Sequence, residues 1–512
     1  MPKTAHGVAW AAALAALWAY VLTLSPTVAW VNQGEDSGDL LVASATLGIP
    51  HPTGYPLFVL LGRVASLVPL GGLAFRINLI AALAGAVGVY FLARLVLELS
   101  PGPRGTAGAV VGAATAALVY GFSRGAWSQS AITEVYSLNV AFLGAVLWAL
   151  ARAERESSVR HLTLAAFLLG LGLTHHMLLL AAIPPVAFVA ARLAARRVIG
   201  APGLVLLALF AVWGYALVLY LPIRAHQDPE FSWGTPASPR QLAWVLSGAQ
   251  YARNFFSRSP VAILRYLAAG RWMVDFGPIL GLLLLGVAGA LLPPRGALLP
   301  VVLSLAGSLA LLSAYAIGDD VGYWMPVGFA VAALAGTGLA AWWRRADGRP
   351  ALRVGLVALC AAGALLGAPR NVRAVDASRD VTPFLFATRN LEAVEPDALI
   401  LSEYDGRTFS LWFYKATAFA RSRPRVVVVY KYLLVWPWYL HHLARTYPGL
   451  AVPPYTGDLD LEMNRLIAEN IRRRPVYLVR QDPGLAAPFR LEAVGYPPIP
   501  FYRVSLRDAA AP

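Results

Sequence analysis

Three carboxylates, Glu35, Asp36 and Asp39, lie within five residues of one another, just before a Pro/Gly-punctuated stretch, His51-Pro-Thr-Gly-Tyr-Pro56. Asp36 and Asp39 stand at i and i+3, so they share one face if a helix starts here. Carboxylates this close push one pKa upward, which suits a group that accepts a proton from an attacking hydroxyl. The competing reading is structural: Asp36 or Ser37 caps a helix over residues 40–47, with Asp39 near its positive end.

Further groups fall on what the topology makes the same side. Glu134 is the only acid between residues 100 and 151, with Tyr136 and Asn139 as potential hydrogen-bond partners; its bland alternative is an interfacial turn. His175 and His176 end another apolar segment. Adjacent histidines point in different directions on a helix, so one donor to a ligand or backbone fits better than a two-histidine metal clasp. Arg224 follows an apolar run, where its planar fork could hold a departing phosphate or simply reach lipid headgroups. Asp319 and Asp320 add acids as ligands or as a solvated turn, and a divalent cation held by such acids stays open.

The elements that position these residues are membrane helices. Of 512 residues, 58% are hydrophobic and 13% charged. Apolar stretches near 20 residues recur from residue 8 to residue 367, which makes this a polytopic membrane protein. Eleven spans are expected, over 8–30, 76–97, 107–122, 135–151, 161–174, 177–191, 201–221, 278–292, 298–315, 325–343 and 351–367. The first reads as a retained helix, not a signal peptide. Arginines such as Arg94, Arg155, Arg192 and Arg344 gather in alternate short turns, which places the N-terminus inside and residues 31–75, 122–134, 222–277, 316–324 and everything after 368 outside. Residues 57–69 are too few to span and read as interfacial or re-entrant, and residues 222–277 read as interfacial helices that could roof a cavity. The net charge of +15 reflects this topology, not nucleic-acid binding, and the single Cys360 excludes an intrachain disulfide and a Cys-based metal cluster.

Beyond Pro369 the apolar runs shorten to strand length, at 398–402, 426–430 and 475–480, separated by helical patterns at 407–421 and 459–473. That alternation predicts a small α/β domain with a parallel sheet over 370–512, after a membrane domain over 1–369. No glycine-rich nucleotide loop follows any of these strands.

The combined motifs resemble the DUF2723 membrane family, which includes an animal transmembrane protein O-mannosyltransferase and belongs with the GT-C glycosyltransferases. The resemblance rests on Gly34-Glu-Asp-Ser-Gly-Asp39, the run from Leu47 to Leu57, Phe75-Arg-Ile-Asn78, Glu134 to Asn139, Gly172-Leu-Thr-His-His176, and Tyr220 to Arg224 with Trp233-Gly234. It covers nearly the whole membrane part and, more weakly, Ser402–Asp405 and Trp436–Tyr439 of the C-terminal domain. It implies a GT-C-like polytopic α-helical fold and an inverting transferase that uses a polyprenyl-phosphate-linked sugar. The acceptor would be a hydroxyl of a protein or glycan, at the extracytoplasmic face of an inner or plasma membrane. By position it implies Asp36 as the acid that acts on the acceptor, Asp39 beside it and Glu134 as a second functional acid. Expected at the substrate and donor phosphate are His51, Tyr55, Arg76, Tyr136, Asn139, His175, His176 and Arg224. Two other classes compete. A lipid or solute transporter or flippase should carry its charges near mid-span, and a receptor-like membrane binding protein would not need the first-loop acids.

Overall fold

The computed structural model describes residues 3–102, 105–269, 295–316, 318, 320–486 and 489–506. Helix α1 (Lys3–Leu22) stops where Pro26 and the residue before it cannot continue a helix. Thr23 Oγ1 donates back to Ala19 O, and Asn78 Nδ2 donates to Ser25 O and Thr27 O, which fixes the chain beyond as an extended segment. The expected 8–30 span is therefore shorter than the apolar run that suggested it.

After α2 (Ser37–Thr46) and α3 (Pro56–Ser66), the bundle is built by α4 (Leu73–Leu99), α5 (Ala107–Gly121), the short α6 (Arg124–Ser130), α7 (Tyr136–Glu156) and α8 (Val159–Leu173). Side chains of Thr106, Ser123 and Ser158 accept from the third helical N–H of α5, α6 and α8, which marks those starts. There follow α9 (Ile183–Ala195), α10 (Ala201–Tyr215), α11 (Tyr220–Ala225), α12 (Pro239–Leu246) and α13 (Pro260–Ala269), then α14 (Leu299–Ala314), α15 (Val321–Arg345) and α16 (Pro350–Val375). Among the described residues, five segments are long and apolar enough to cross a membrane: 73–99, 136–156, 177–195, 201–225 and 321–345. Shorter apolar helices occupy the remaining expected spans, except 278–292, which lies outside the described residues. Helix α4 packs on α1, α5 and α7, and α15 is buried against α5. This is a multi-pass membrane protein.

Helix α16 runs on to Val375, so the expected domain break at 369/370 falls inside a helix. Beyond it, α17 (Thr382–Ala393), α18 (Asp405–Thr417), α19 (Pro437–Thr446) and α20 (Leu459–Asn470) flank a five-stranded sheet. Its strands are β1 (Leu399–Ser402), β2 (Val427–Tyr430), β3 (Val476–Leu478), β4 (Phe489–Val494) and β5 (Phe501–Leu506), in the order β2-β1-β3-β5-β4. The three strands expected from sequence are parallel, and the antiparallel hairpin β4–β5 extends them.

One hydrophobic core joins the two parts. Leu40, Leu41 and Val42 of α2, with Phe58 and Ile77, are buried together with Phe386, Leu399, Phe409 and Trp412. Helix α2 lies directly on α18: a Cβ on Gly38 would stand 2.5 Å from the Phe409 carbonyl carbon, so only glycine allows this approach. Trp30 adds a second tie, donating from its indole to Gly406 O (2.8 Å) and Ser410 Oγ (3.1 Å). The first loop is thus held as much by the C-terminal domain as by the bundle.

Candidate active site

Asp36 occupies the N-cap position of α2, yet its side chain makes no capping hydrogen bond. Capping alone does not account for it. The carboxylate is about one-third exposed and faces a cavity of about 500 Å³, also lined by Glu35, His51, Tyr55, Tyr136, His176 and, from the C-terminal domain, Asp405. The segment at 248–255 and residues Tyr315 and Tyr323 complete the wall, so part of the 222–277 loop lines the cavity.

Three residues further along the same helix, Asp39 has a different environment. It is 1% exposed, and every contact is to the scaffold of the site. Its Oδ2 accepts from the His51 backbone N–H and from Nδ1, both at 2.8 Å, and its Oδ1 accepts from the Trp233 indole at 3.2 Å. The His51 loop is itself stitched to the long loop: Ile49 N donates to Phe231 O (2.8 Å), and Trp233 N donates to Ile49 O (3.0 Å). Asp39 therefore holds the imidazole and does not line the cavity.

His51 stands between the two acids, with Nε2 3.6 Å from Asp36 Oδ2 and 3.0 Å from the Tyr55 hydroxyl. Burial pulls its pKa down, but Asp36, Asp39 and Glu134 outweigh burial and raise it to about 9. The hydrogen bonds agree with a protonated ring: Nδ1–H donates to Asp39, Nε2–H donates to Tyr55, and the Tyr55 hydroxyl donates on to Pro52 O at 3.3 Å. Tyr55 holds left-handed backbone (φ 43°), which places its ring beneath the cavity just before Pro56 opens α3.

Asp405 was not among the expected site residues. It opens α18 immediately beyond the carboxyl end of β1, the position where open α/β sheets bind ligands, and this strand end was the signal available in the sequence. The Tyr430 hydroxyl donates to it. Burial holds its carboxyl above the usual range, and burial together with Asp405 does the same for Glu35. Both acids also line a second chamber of about 430 Å³, whose other walls include Tyr404, Tyr432, Arg407 and Arg480 at the carboxyl edge of the parallel strands.

Several expected residues lie elsewhere. Arg224 does not line the cavity: its Nε donates to Leu47 O at 2.7 Å and Nη1 to Gln227 Oε1, so it braces the turn ahead of His51. Arg76 closes the turn before α4 by donating to Ser66 O (2.8 Å) and Val68 O (2.7 Å). Glu134 is buried off the cavity and acts on it through its charge on His51. His175 donates from Nε2 to Val135 O (2.7 Å) beneath the wall, and Asn139 is buried on α7. His176 does line the cavity, and its Nδ1 accepts from Leu178 N at 3.0 Å. Among the described residues no group of three or more His, Cys, Asp or Glu side chains lies at metal-ligand spacing. Asp319 lies outside the described residues. Asp320 accepts from the Tyr266 hydroxyl at 2.5 Å and is not part of the cavity wall.

Residues 36–198 match the family model described as the Protein O-mannosyl-transferase TMEM260 N-terminal domain. The chain is 31% identical over 235 residues to Protein O-mannosyl-transferase TMEM260 of Mus musculus, a match that covers 44% of this chain and 32% of the mouse protein. It is 30% identical over 183 residues to the Dictyostelium discoideum protein of the same name, covering 32% of this chain and 21% of that one. The chain thus spans a third or less of the length of the curated relatives it matches. Among solved structures, ArnT from Cupriavidus metallidurans bound to undecaprenyl phosphate superposes with a TM-score of 0.60 at 14% identity, over 98% of both chains. Its apo form gives 0.54 at 15% identity, over 85% of this chain and 94% of that one. The fold is that of the GT-C membrane glycosyltransferases.

Proposed function

We propose that this chain is a membrane glycosyltransferase that moves a sugar from a polyprenyl-phosphate donor to an acceptor hydroxyl at the extracytoplasmic face. The observation that carries the reading is the division of labour along one helical turn: Asp36 faces an open cavity while Asp39 is spent holding His51. A second support is the match to O-mannosyltransferase relatives in the segment that contains these residues. A third is the fold shared with a protein whose structure holds undecaprenyl phosphate.

In this mechanism the acceptor hydroxyl gives its proton to Asp36 as its oxygen attacks the anomeric carbon. The bond from that carbon to the phosphate oxygen breaks, and the lipid phosphate leaves with the electron pair, inverting the configuration. No lysine or arginine lines the main cavity among the described residues, so the charge that meets the departing phosphate is the His51 imidazolium, assisted by tyrosine hydroxyls such as Tyr251 and Tyr323. This replaces the role expected of Arg224, which becomes a positioning residue for the 47–51 turn. Asp405 and Glu35 stand where the two chambers meet, and the acceptor enters over Tyr404 and Tyr432.

The test is to incubate the purified chain with a panel of polyprenyl-phosphate sugars and periplasmic extract, and to follow donor loss and product mass by mass spectrometry. Transfer from one donor by the wild type, with none from Asp36→Asn, is the expected result. A fully active Asp36→Asn protein removes Asp36 from the base role, and no transfer from any donor overturns the assignment.

A further inference from the structure

A second cluster of charge sits at the other end of the bundle. Tyr136 and Tyr323 line the main cavity, and the same two helices end in Arg155 and Arg344, which line a separate recess of about 460 Å³. At 1.5 Å per helical residue, these pairs lie roughly 30 Å apart, the thickness of a bilayer hydrocarbon core. The recess is enclosed by the C-terminal ends of α4, α7, α9 and α15 and, among the described residues, contains four arginines, Arg155, Arg192, Arg196 and Arg344, against two carboxylates, Glu98 and Glu154.

Those carboxylates are already committed. Glu98, fully buried at its side chain, pairs with Arg152 (3.3 Å) and Arg155 (3.9 Å), and Arg155 is further fixed by donating to Glu98 O (2.8 Å) and Gly102 O (2.9 Å). Glu154 pairs with Arg192 at 2.9 Å and attracts Arg196 only across space. Among the described residues, the side chains of Arg196 and Arg344 make no hydrogen bond or ion pair. Arginines at helix C-termini are favoured by the helix dipole, but that explains their presence, not two uncommitted guanidinium forks facing one recess.

We propose that this recess binds a phosphate group, held by Arg196 and Arg344, and that the phosphate is that of an anionic lipid headgroup at the membrane face opposite the active site. The planar forks match phosphate oxygens, and basic groups at a membrane surface draw anionic lipid. The site is separate from Asp36, so its test does not depend on sugar transfer.

The full chain is purified into phosphatidylcholine nanodiscs with and without phosphatidylglycerol, and lipid retained after detergent exchange is counted by native mass spectrometry. Inorganic phosphate binding is measured in parallel by calorimetry in lipid-free detergent. The wild type should retain phosphatidylglycerol over phosphatidylcholine, and the double variant Arg196→Gln/Arg344→Gln should lose about 10-fold of that preference. Arg160→Gln/Arg349→Gln, which removes two exposed arginines outside the recess, should not. Arg196→Lys/Arg344→Lys keeps both charges and should retain part of the preference, separating ligand loss from misfolding. Tight binding of inorganic phosphate that the glutamine pair abolishes would keep the anion site but reassign its ligand to a soluble phosphate. Equal losses in the recess and control pairs, or no preference and no phosphate binding in the wild type, would overturn the proposal.

Discussion

Replacing His51 by glutamine tests the electrostatic logic of the site. The rise of its pKa from 6.5 to about 9 corresponds to about 3 kcal/mol in favour of the folded, protonated ring. An independent route gives a similar size: removing one partner of a buried ion pair costs about 3–5 kcal/mol, and Asp39 is such a partner at 2.8 Å. Because the folded pKa is raised, this stabilisation is fully present below about pH 6.5 and is lost as pH rises through about 9. His51→Gln should therefore lower the apparent melting temperature by on the order of 5 °C at pH 6, and the gap to wild type should narrow above pH 9. Thermal unfolding in detergent across pH 6 to pH 10 reads this directly. Two parallel curves, with the gap constant over the whole range, would refute the claim that a charged imidazole joins the two acids.

Asp36→Asn should lower turnover by roughly 10²–10⁴ while the fold and donor binding persist, measured as product formed per enzyme at saturating donor. Gly38→Ala should destabilise the docked pair α2–α18 by about 1–3 kcal/mol and reduce transfer through the displaced Asp36, read by the melting temperature together with activity. Cysteines placed one at a time in a Cys360→Ser background should label from outside at Ser422, an exposed position of the C-terminal domain, and only from inside at Arg155; outside labelling at 155 reverses the topology.

The sequence exposed those parts of the molecule whose signals are local. Apolar length predicted the bundle, and short β-branched runs predicted three parallel strands. The hairpin β4–β5 carries no continuous apolar run: Arg490, Glu492 and Arg503 interrupt its strands, and of its residues only Phe489, Phe501 and Val504 are buried. The end of α1 required weighing Pro26 against an apolar stretch that continues past it. What could not be read locally were the partners. Arg224 suits a phosphate by its chemistry, but its Nε is spent on a carbonyl 177 residues away in the chain. Asp405 reaches the cavity only because α18 docks on α2 through Gly38.

That docking bears on why the C-terminal domain is built onto this bundle. Trp233, whose indole holds Asp39, is packed among Phe409, Trp412, Tyr430 and Trp438, all from the C-terminal domain. Lys415 pairs with Glu230, and the Tyr447 hydroxyl donates to the same carboxylate at 2.8 Å, so the segment just before Trp233 is clamped by that domain as well. The orientation of His51 thus depends on a chain of contacts from the sheet through Trp233 to Asp39. A bundle without this domain would keep Asp36 in the sequence but lose the indole bond to Asp39, the Asp405 wall and the packing surface of α2. The base proposed at Asp36 would need positioning to a fraction of an ångström by a rigid supporting shell, and the groups around it are drawn from both parts of the chain.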